Sequence, residues 1–244
     1  MKQSDGSFKK KWKSLKGTAR FQYIWDYYKL QIFLICVIVY VLCYFVYRGV
    51  TTEHPQLYLA YVNVDVGETL SRHLTDEFIS FLAPVEKHSI VKTTDRLALT
   101  ENLQQIDGSY VYASQMKILS EIENQHLDVV IMNREAFDAF SQNGFLINLK
   151  DFSDTFHLQN LEPYFEENIE ILSDNATDVM LDPSVEYHSE TITYPMGIDI
   201  SDFPVIREAG FPDRVYLGII ANTPRPETVA AYVSYLLYSK KEPA

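Results

Sequence analysis

Eighteen consecutive residues, Leu30–Tyr47 (LQIFLICVIVYVLCYFVY), carry no charge, and only Gln31 among them is strongly polar. As a helix rising ~1.5 Å per residue, the run covers roughly 27 Å, about the thickness of a hydrocarbon core. Trp25, Tyr27 and Tyr28 stand at one end and Tyr44, Tyr47 and Arg48 at the other, where amphipathic rings and snorkelling cations favour the interface. A buried core helix would need apolar partners on every side and would leave those flanks unexplained. Residues 30–48 are therefore expected to form a transmembrane anchor. A cleavable signal would end in small residues, but Tyr44, Phe45, Tyr47 and Arg48 occupy that place. Nor does Cys36 or Cys43 follow the small residue of a lipoprotein box, since Ile35 and Leu42 precede them. Both cysteines are read as small apolar residues in lipid.

Charge divides the chain at the same place. Residues 1–29 carry a net charge of +6 and residues 51–244 a net charge of −19. By the positive-inside rule the lysine-rich tail (1–29, with its KKKWK run) is expected in the cytoplasm and the acidic part (55–244) outside. The tail's lysines suit anionic headgroups, and the acidic excess of the outer part argues against nucleic acid as a partner. The outer part has no cysteine, so no disulfide framework supports it and its stability must come from its own core.

From residue 55 onward, apolar runs alternate with amphipathic stretches. LYLAYVNV (57–64) reads as a buried strand. Gly67 then opens a helix with Leu70, Leu74, Phe78, Phe81 and Leu82 on one face. HSIVKTT (88–94) is a second strand, and a helix over about 112–124 places Met116, Leu119 and Ile122 in its stripe. In LDVVIMNREAFDAFSQNGFLINL (127–149), the β-branched DVVIM predicts a strand covered on both faces. Asn133 caps the helix that follows, which packs Ala136, Phe137 and Phe140 and stops at Gly144. VYLGIIANT (215–223) predicts another buried strand. PETVAAYVSYLLYSKK (226–241) predicts a closing helix with Pro226 in its first turn, Val229, Val233, Leu236 and Leu237 inside, and Lys240 and Lys241 at the negative end of its dipole. The strand and helix order argues for one mostly parallel α/β domain.

Catalytic signals are weak. Ser114-Gln-Met-Lys117, Ser141-Gln-Asn143 and Lys92-Thr-Thr each match a piece of the penicillin-recognising serine enzymes, but in the wrong order, and Ser114 lies in an ordinary amphipathic helix. There is no His-Glu-x-x-His pair, no Gly-x-Ser-x-Gly elbow, no phosphate loop and no Ca²⁺ loop, and the six histidines are scattered without metal-ligand spacing. No catalytic residue, metal site or cofactor is expected. Asn175-Ala-Thr177 is formally a glycosylation acceptor.

The segment LDVVIMNREAFDAFSQNGFLINLKDF, followed later by YPMGIDIS and VYLGIIANTPRPETVAAYVSYLL, resembles bacterial extracellular solute-binding proteins. It is similar to that family's strand, short helix and glycine turn, and to its return to the first lobe. The resemblance implies one lobe of such a receptor, because only residues 150–193 separate the two matches and these cannot form a second lobe. They are expected to supply a helix around LEPYFEENIEILSD (161–174) and an edge strand near ETITYP (190–195). A single lobe has no hinge on which to close, so the resemblance implies a non-catalytic accessory or docking subunit, with a transporter of the ATP-binding-cassette type as its partner. Phe156, Tyr164, Phe165 and Tyr187 are the candidate partner-binding rings. The alternative is a tethered receptor for a small solute such as a sugar or peptide. Its candidate ligand-binding residues are Asn63, Asp65, Asn133 and Glu135, placed at the carboxyl ends of strands where open α/β sheets take ligands; solvated acids and a capping Asn133 are the simpler reading of those four. A sensor is a third class, but residues 1–29 hold no output domain.

Overall fold

The computed structural model describes residues 18–51, 53–82, 88–99, 108–158 and 160–238. The lysines between Lys2 and Lys16, and Lys240 and Lys241, lie outside the described residues. The chain divides into two compact units, Met1–Thr52 and Glu53–Ala244.

The first unit contains α1 (Thr18–Thr51), 34 residues without a proline. Its stretch Lys29–Gly49 has a mean hydropathy of 2.5 and is long and apolar enough to cross a membrane. Cys36 and Cys43 are free thiols exposed on it. A helix satisfies its peptide groups internally, so such a run suits a bilayer, where no water is present to do so.

The second unit is built on one six-stranded sheet of order β2-β1-β3-β6-β5-β4. Its strands are β1 (His54–Val62), β2 (Ser89–Leu97), β3 (Val129–Met132), β4 (Phe165–Asp174), β5 (Ser189–Asp199) and β6 (Tyr216–Ile219). β1 pairs in parallel with both β2 and β3. Helical segments fill the two crossovers. Between β1 and β2 lie α2 (Glu68–Arg72), a π-helical stretch (His73–Glu77) and α3 (Phe78–Phe81); between β2 and β3 lies α4 (Gly108–Glu123). Parallel neighbours require such long connections. The other three pairings, β3–β6, β6–β5 and β5–β4, are antiparallel. The sheet is thus mixed rather than mostly parallel, because the chain after β3 spends its residues on a hairpin and not on further βαβ units.

Alternation along the central strands sends side chains to two cores. On one face Leu57, Leu59, Tyr61, Val129, Ile131, Leu217 and Ile219 pack with Leu70, Leu74 and Phe78, and with Val229, Val233 and Leu236 of the closing helix (Pro226–Tyr238). On the other, Ala60, Val62, Val130, Met132 and Tyr216 pack with Ile118 and with Ala136, Phe137 and Phe140 of α5 (Arg134–Gln142). All four residues of β3 are fully buried, as expected for a strand covered on both sides. Gly197 and Gly218 are partners across β5 and β6. A Cβ on Gly197 would stand 2.6 Å from the Phe137 ring, so the large ring needs the bare backbone beneath it.

Four further sequence expectations change. Residues 161–174 do not form a helix: a short 3₁₀ turn (Glu162–Tyr164) leads into β4. Phe165, Glu167, Ile169 and Ile171 alternate with Glu166, Asn168 and Glu170, a period of two that suits β-branched isoleucine in a strand. The edge is consequently β4, and ETITYP lies in β5, one position inward. In α4 the buried residues are Val111, Ser114 and Ile118, while Met116 and Leu119 are exposed. Ser114 tolerates burial because its hydroxyl accepts the Ala98 N–H at 3.3 Å. Phe81, expected inside, is half exposed and tilts against Tyr235 at 5.4 Å.

Candidate functional site

Because β1 and β3 run parallel, the loops after them open at the same end of the sheet. Asn63 follows β1 with φ of 55°, a left-handed conformation that asparagine adopts more readily than most residues. Its Nδ2 donates to Asn133 Oδ1 at 3.2 Å and its Oδ1 accepts the Leu99 N–H at 2.8 Å. Asn133 Oδ1 also accepts the Ala136 N–H at 3.0 Å, capping α5. The structure therefore brings Asn63 and Asn133 together, with their acceptors engaged by the backbone of neighbouring segments. Asp65 and Glu135 are exposed and do not join them.

Beside Asn133, Arg134 bonds Asp138 at 2.9 Å and Glu166 at 2.6 Å. Its guanidinium lies 5.5 Å from the Phe137 ring centre and 5.8 Å from that of Tyr216. It joins α5 to the edge strand β4.

At the opposite end of β3 the only fully buried carboxylate among the described residues, Asp128, accepts four hydrogen bonds. They come from Arg225 Nη1 to both of its oxygens (2.9 and 3.1 Å), from the Thr223 hydroxyl (2.6 Å) and from the Tyr58 N–H (2.8 Å). The guanidinium of Arg225 sits 4.5 Å over the Tyr58 ring, which also stacks on His126 at 5.1 Å and has the Lys92 ammonium 5.7 Å from its centre. This network ties the Asn222-Thr223-Pro224-Arg225 turn to β1 and β3. An acid opening a wholly apolar strand was its sequence signal, but its partners lie 70 to 97 residues away.

Of the four rings expected to meet a partner, three are partly buried against the first core. Phe156 tilts on Phe152 at 4.7 Å, Tyr164 meets Phe203 edge-on at 5.0 Å, and Phe165 begins β4. Tyr187 alone of the four is exposed, on the connection between β4 and β5. That connection orders itself: Asn175 Nδ2 donates to Glu186 O at 2.9 Å, the His188 N–H donates to Asn175 Oδ1 at 2.7 Å, and the Tyr187 hydroxyl donates to Asp174 at 3.2 Å. The amide of the formal glycosylation acceptor is thus engaged within the turn. The Ser184 hydroxyl and amide hold the Asp182 carboxyl below its usual range.

An open depression of about 330 Å³ lies along α6 (Leu149–Phe156), lined by Ile147, Asn148, Asp151, Phe152, Thr155 and Phe156. Its lining includes neither Asn63 nor Asn133, and Asn148 there caps α6 by accepting the Lys150 N–H at 3.0 Å. Among the described residues, no three His, Cys, Asp or Glu side chains gather as metal ligands would. No protein-family model, curated protein or solved structure matches the chain.

Proposed function

We propose that the chain is a single-pass, membrane-tethered, non-catalytic docking subunit of a membrane complex, its basic tail in the cytoplasm and its α/β domain outside. The observation that carries this reading is an exposed apolar surface on a domain whose polar loops are engaged with their own backbone. Among the described residues of the second unit, seven of the twelve exposed large apolar side chains fall between Ile169 and Ile192. Clustering of that kind marks interaction surfaces in proteins otherwise well solvated. The span Lys29–Gly49 supports the tether. A transporter of the ATP-binding-cassette type is the partner that the resemblance to one lobe of a solute-binding protein implies.

A tethered solute receptor is the competing reading, favoured by the 330 Å³ depression along α6, which is within the range of small-molecule sites. Thermal shift of the full chain in detergent against sugars, amino acids and peptides separates the two. Docking predicts no shift. A solute present at 100 times its Kd adds about 2.7 kcal/mol, so one clear hit replaces docking with reception.

A further inference from the structure

From Asp151 to Ile206 the chain contains thirteen Asp or Glu and no Lys or Arg. The fold gathers the middle of this stretch into one projecting arm. β4 and β5 pair with each other from Phe165↔Ile198 to Asp174↔Ser189, but β5 reaches β6 only at Gly197, Ile198 and Asp199. Beyond that point, among the described residues, the hairpin has no third strand. At its tip sits the short helix α7 (Ala176–Leu181). Met180 is 87% exposed and Leu181 80%, with Leu172, Tyr187, Ile192 and Ile169 between 45% and 54%. A two-stranded ribbon is marginal in water, and leaving its largest apolar groups in solvent adds to its instability. Such an arm gains most from a surface that covers it.

The charge selects what that surface is. Residues 165–194 hold eight acids and no Lys or Arg. A second copy laid against the same arm would set carboxylates against carboxylates, and anionic headgroups or nucleic acid would be repelled in the same way. Exposed apolar side chains interspersed with acids along an arm are complementary to a cleft that is apolar within and basic around. We infer that the β4–β5 arm docks in a basic cleft of a partner protein. Met180 and Leu181 enter the cleft as anchors, and Asp178, Asp182 and Glu186 meet Lys or Arg around it. This deepens the docking reading and rests on it.

The test uses the full chain in its own membrane. A benzoylphenylalanine photocrosslinker replaces Tyr187 on the arm or, as the control, the exposed Tyr112 on α4. The expected result is an adduct at 187 at least about tenfold stronger than at 112, the factor of one anchor contact. Mass spectrometry should place it on a partner segment with apolar residues and a net excess of Lys and Arg. Met180→Ser with Leu181→Ser, or Asp178→Asn with Asp182→Asn and Glu186→Gln, should each reduce it by about tenfold or more. These side chains are exposed, so unchanged circular dichroism is expected of every variant. Crosslinking at 187 to lipid, to a second copy or to a segment without basic excess overturns the inference, as does an adduct indifferent to the substitutions. If the chain copurifies with a membrane protein but 187 does not touch it, the arm is wrong and docking stands. If nothing copurifies, docking itself fails.

Discussion

Asp128→Ala should unfold the second unit well below its normal temperature. The carboxylate is fully buried and accepts from Arg225, Thr223 and the Tyr58 N–H at 2.6 to 3.1 Å. Its loss takes the side-chain acceptor from the Tyr58 N–H and leaves the Arg225 guanidinium only the Gln125 carbonyl at 3.3 Å. Breaking a buried pair from one side costs about 3–5 kcal/mol, and an orphaned buried N–H about 1–3 kcal/mol. Arg225 retains 25% exposure of its side chain and can turn partly to water, so the two costs do not add in full and the expected total is about 3–5 kcal/mol. For a domain of this size each kcal/mol lowers Tm by about 2–4 °C, which gives a fall of roughly 6–20 °C. Scanning calorimetry of the full chain in detergent reads it directly. Arg225→Ala should cost a comparable amount, because it strands the carboxylate, and the double variant should cost less than the sum of the two. A fall of under about 1 kcal/mol for Asp128→Ala, or strict additivity in the cycle, would refute the network's role.

Gly197→Ala should cost about 1–3 kcal/mol, since the new Cβ would lie 2.6 Å from a Phe137 ring already stacked on Tyr216 at 5.0 Å; urea unfolding checks it, and an unchanged midpoint would mean that the ring can move. The Tyr232 hydroxyl is buried with no hydrogen-bond partner among the described residues, so Tyr232→Phe should leave stability unchanged or raise it by up to about 1–2 kcal/mol, and a clear loss of stability in the same assay would reveal a hidden partner. Burial pushes Tyr61 up to about 12 and raises Tyr232 well above its ordinary value. Both hold their protons in the folded state where the unfolded chain releases them near pH 10. Stability should therefore be full below about pH 10 and fall between about pH 10 and 12 by about 1.4 kcal/mol per pH unit for Tyr61, with Tyr232 adding a fall of the same sign, and a flat alkaline profile in denaturant titrations would contradict that burial.

The parts of the fold that were legible in the sequence are those in which one local signal and the final environment agree. The span declared itself because eighteen residues lack charge. β3 did so because VVIM has no polar residue to put on a solvated face, and α5 because Asn133 caps it and Gly144 ends it with φ of 67°. The helix expected over 161–174 gives way to β4, in which Ile169 and Ile171 keep a period of two. The buried stripe of α4 runs through Val111, Ser114 and Ile118 rather than Met116 and Leu119, and Ser114 joins it through the tertiary bond from the Ala98 N–H. The exposed arm was hidden for the opposite reason. Ile169 and Ile192 sit in strands, where apolar residues normally face a core, and whether a core exists there depends on a third strand that β6 is too short to provide. Of the candidate site residues, the pairing of Asn63 with Asn133 follows from parallel neighbours, whereas Asp128 shows locally only as an acid opening an apolar strand, and nothing near it points to Arg225, 97 residues on.

Mild-detergent extraction of the full chain from its native membrane, followed by native electrophoresis and mass spectrometry of the band, tests the docking account most directly. The account predicts that the 28.2 kDa chain migrates in a larger complex with at least one integral membrane protein bearing a basic outer surface. It also predicts that exchanging Met180 and Leu181 for serine releases the chain from that complex. Migration of the unaltered chain by itself, with no membrane partner in the band, would contradict it.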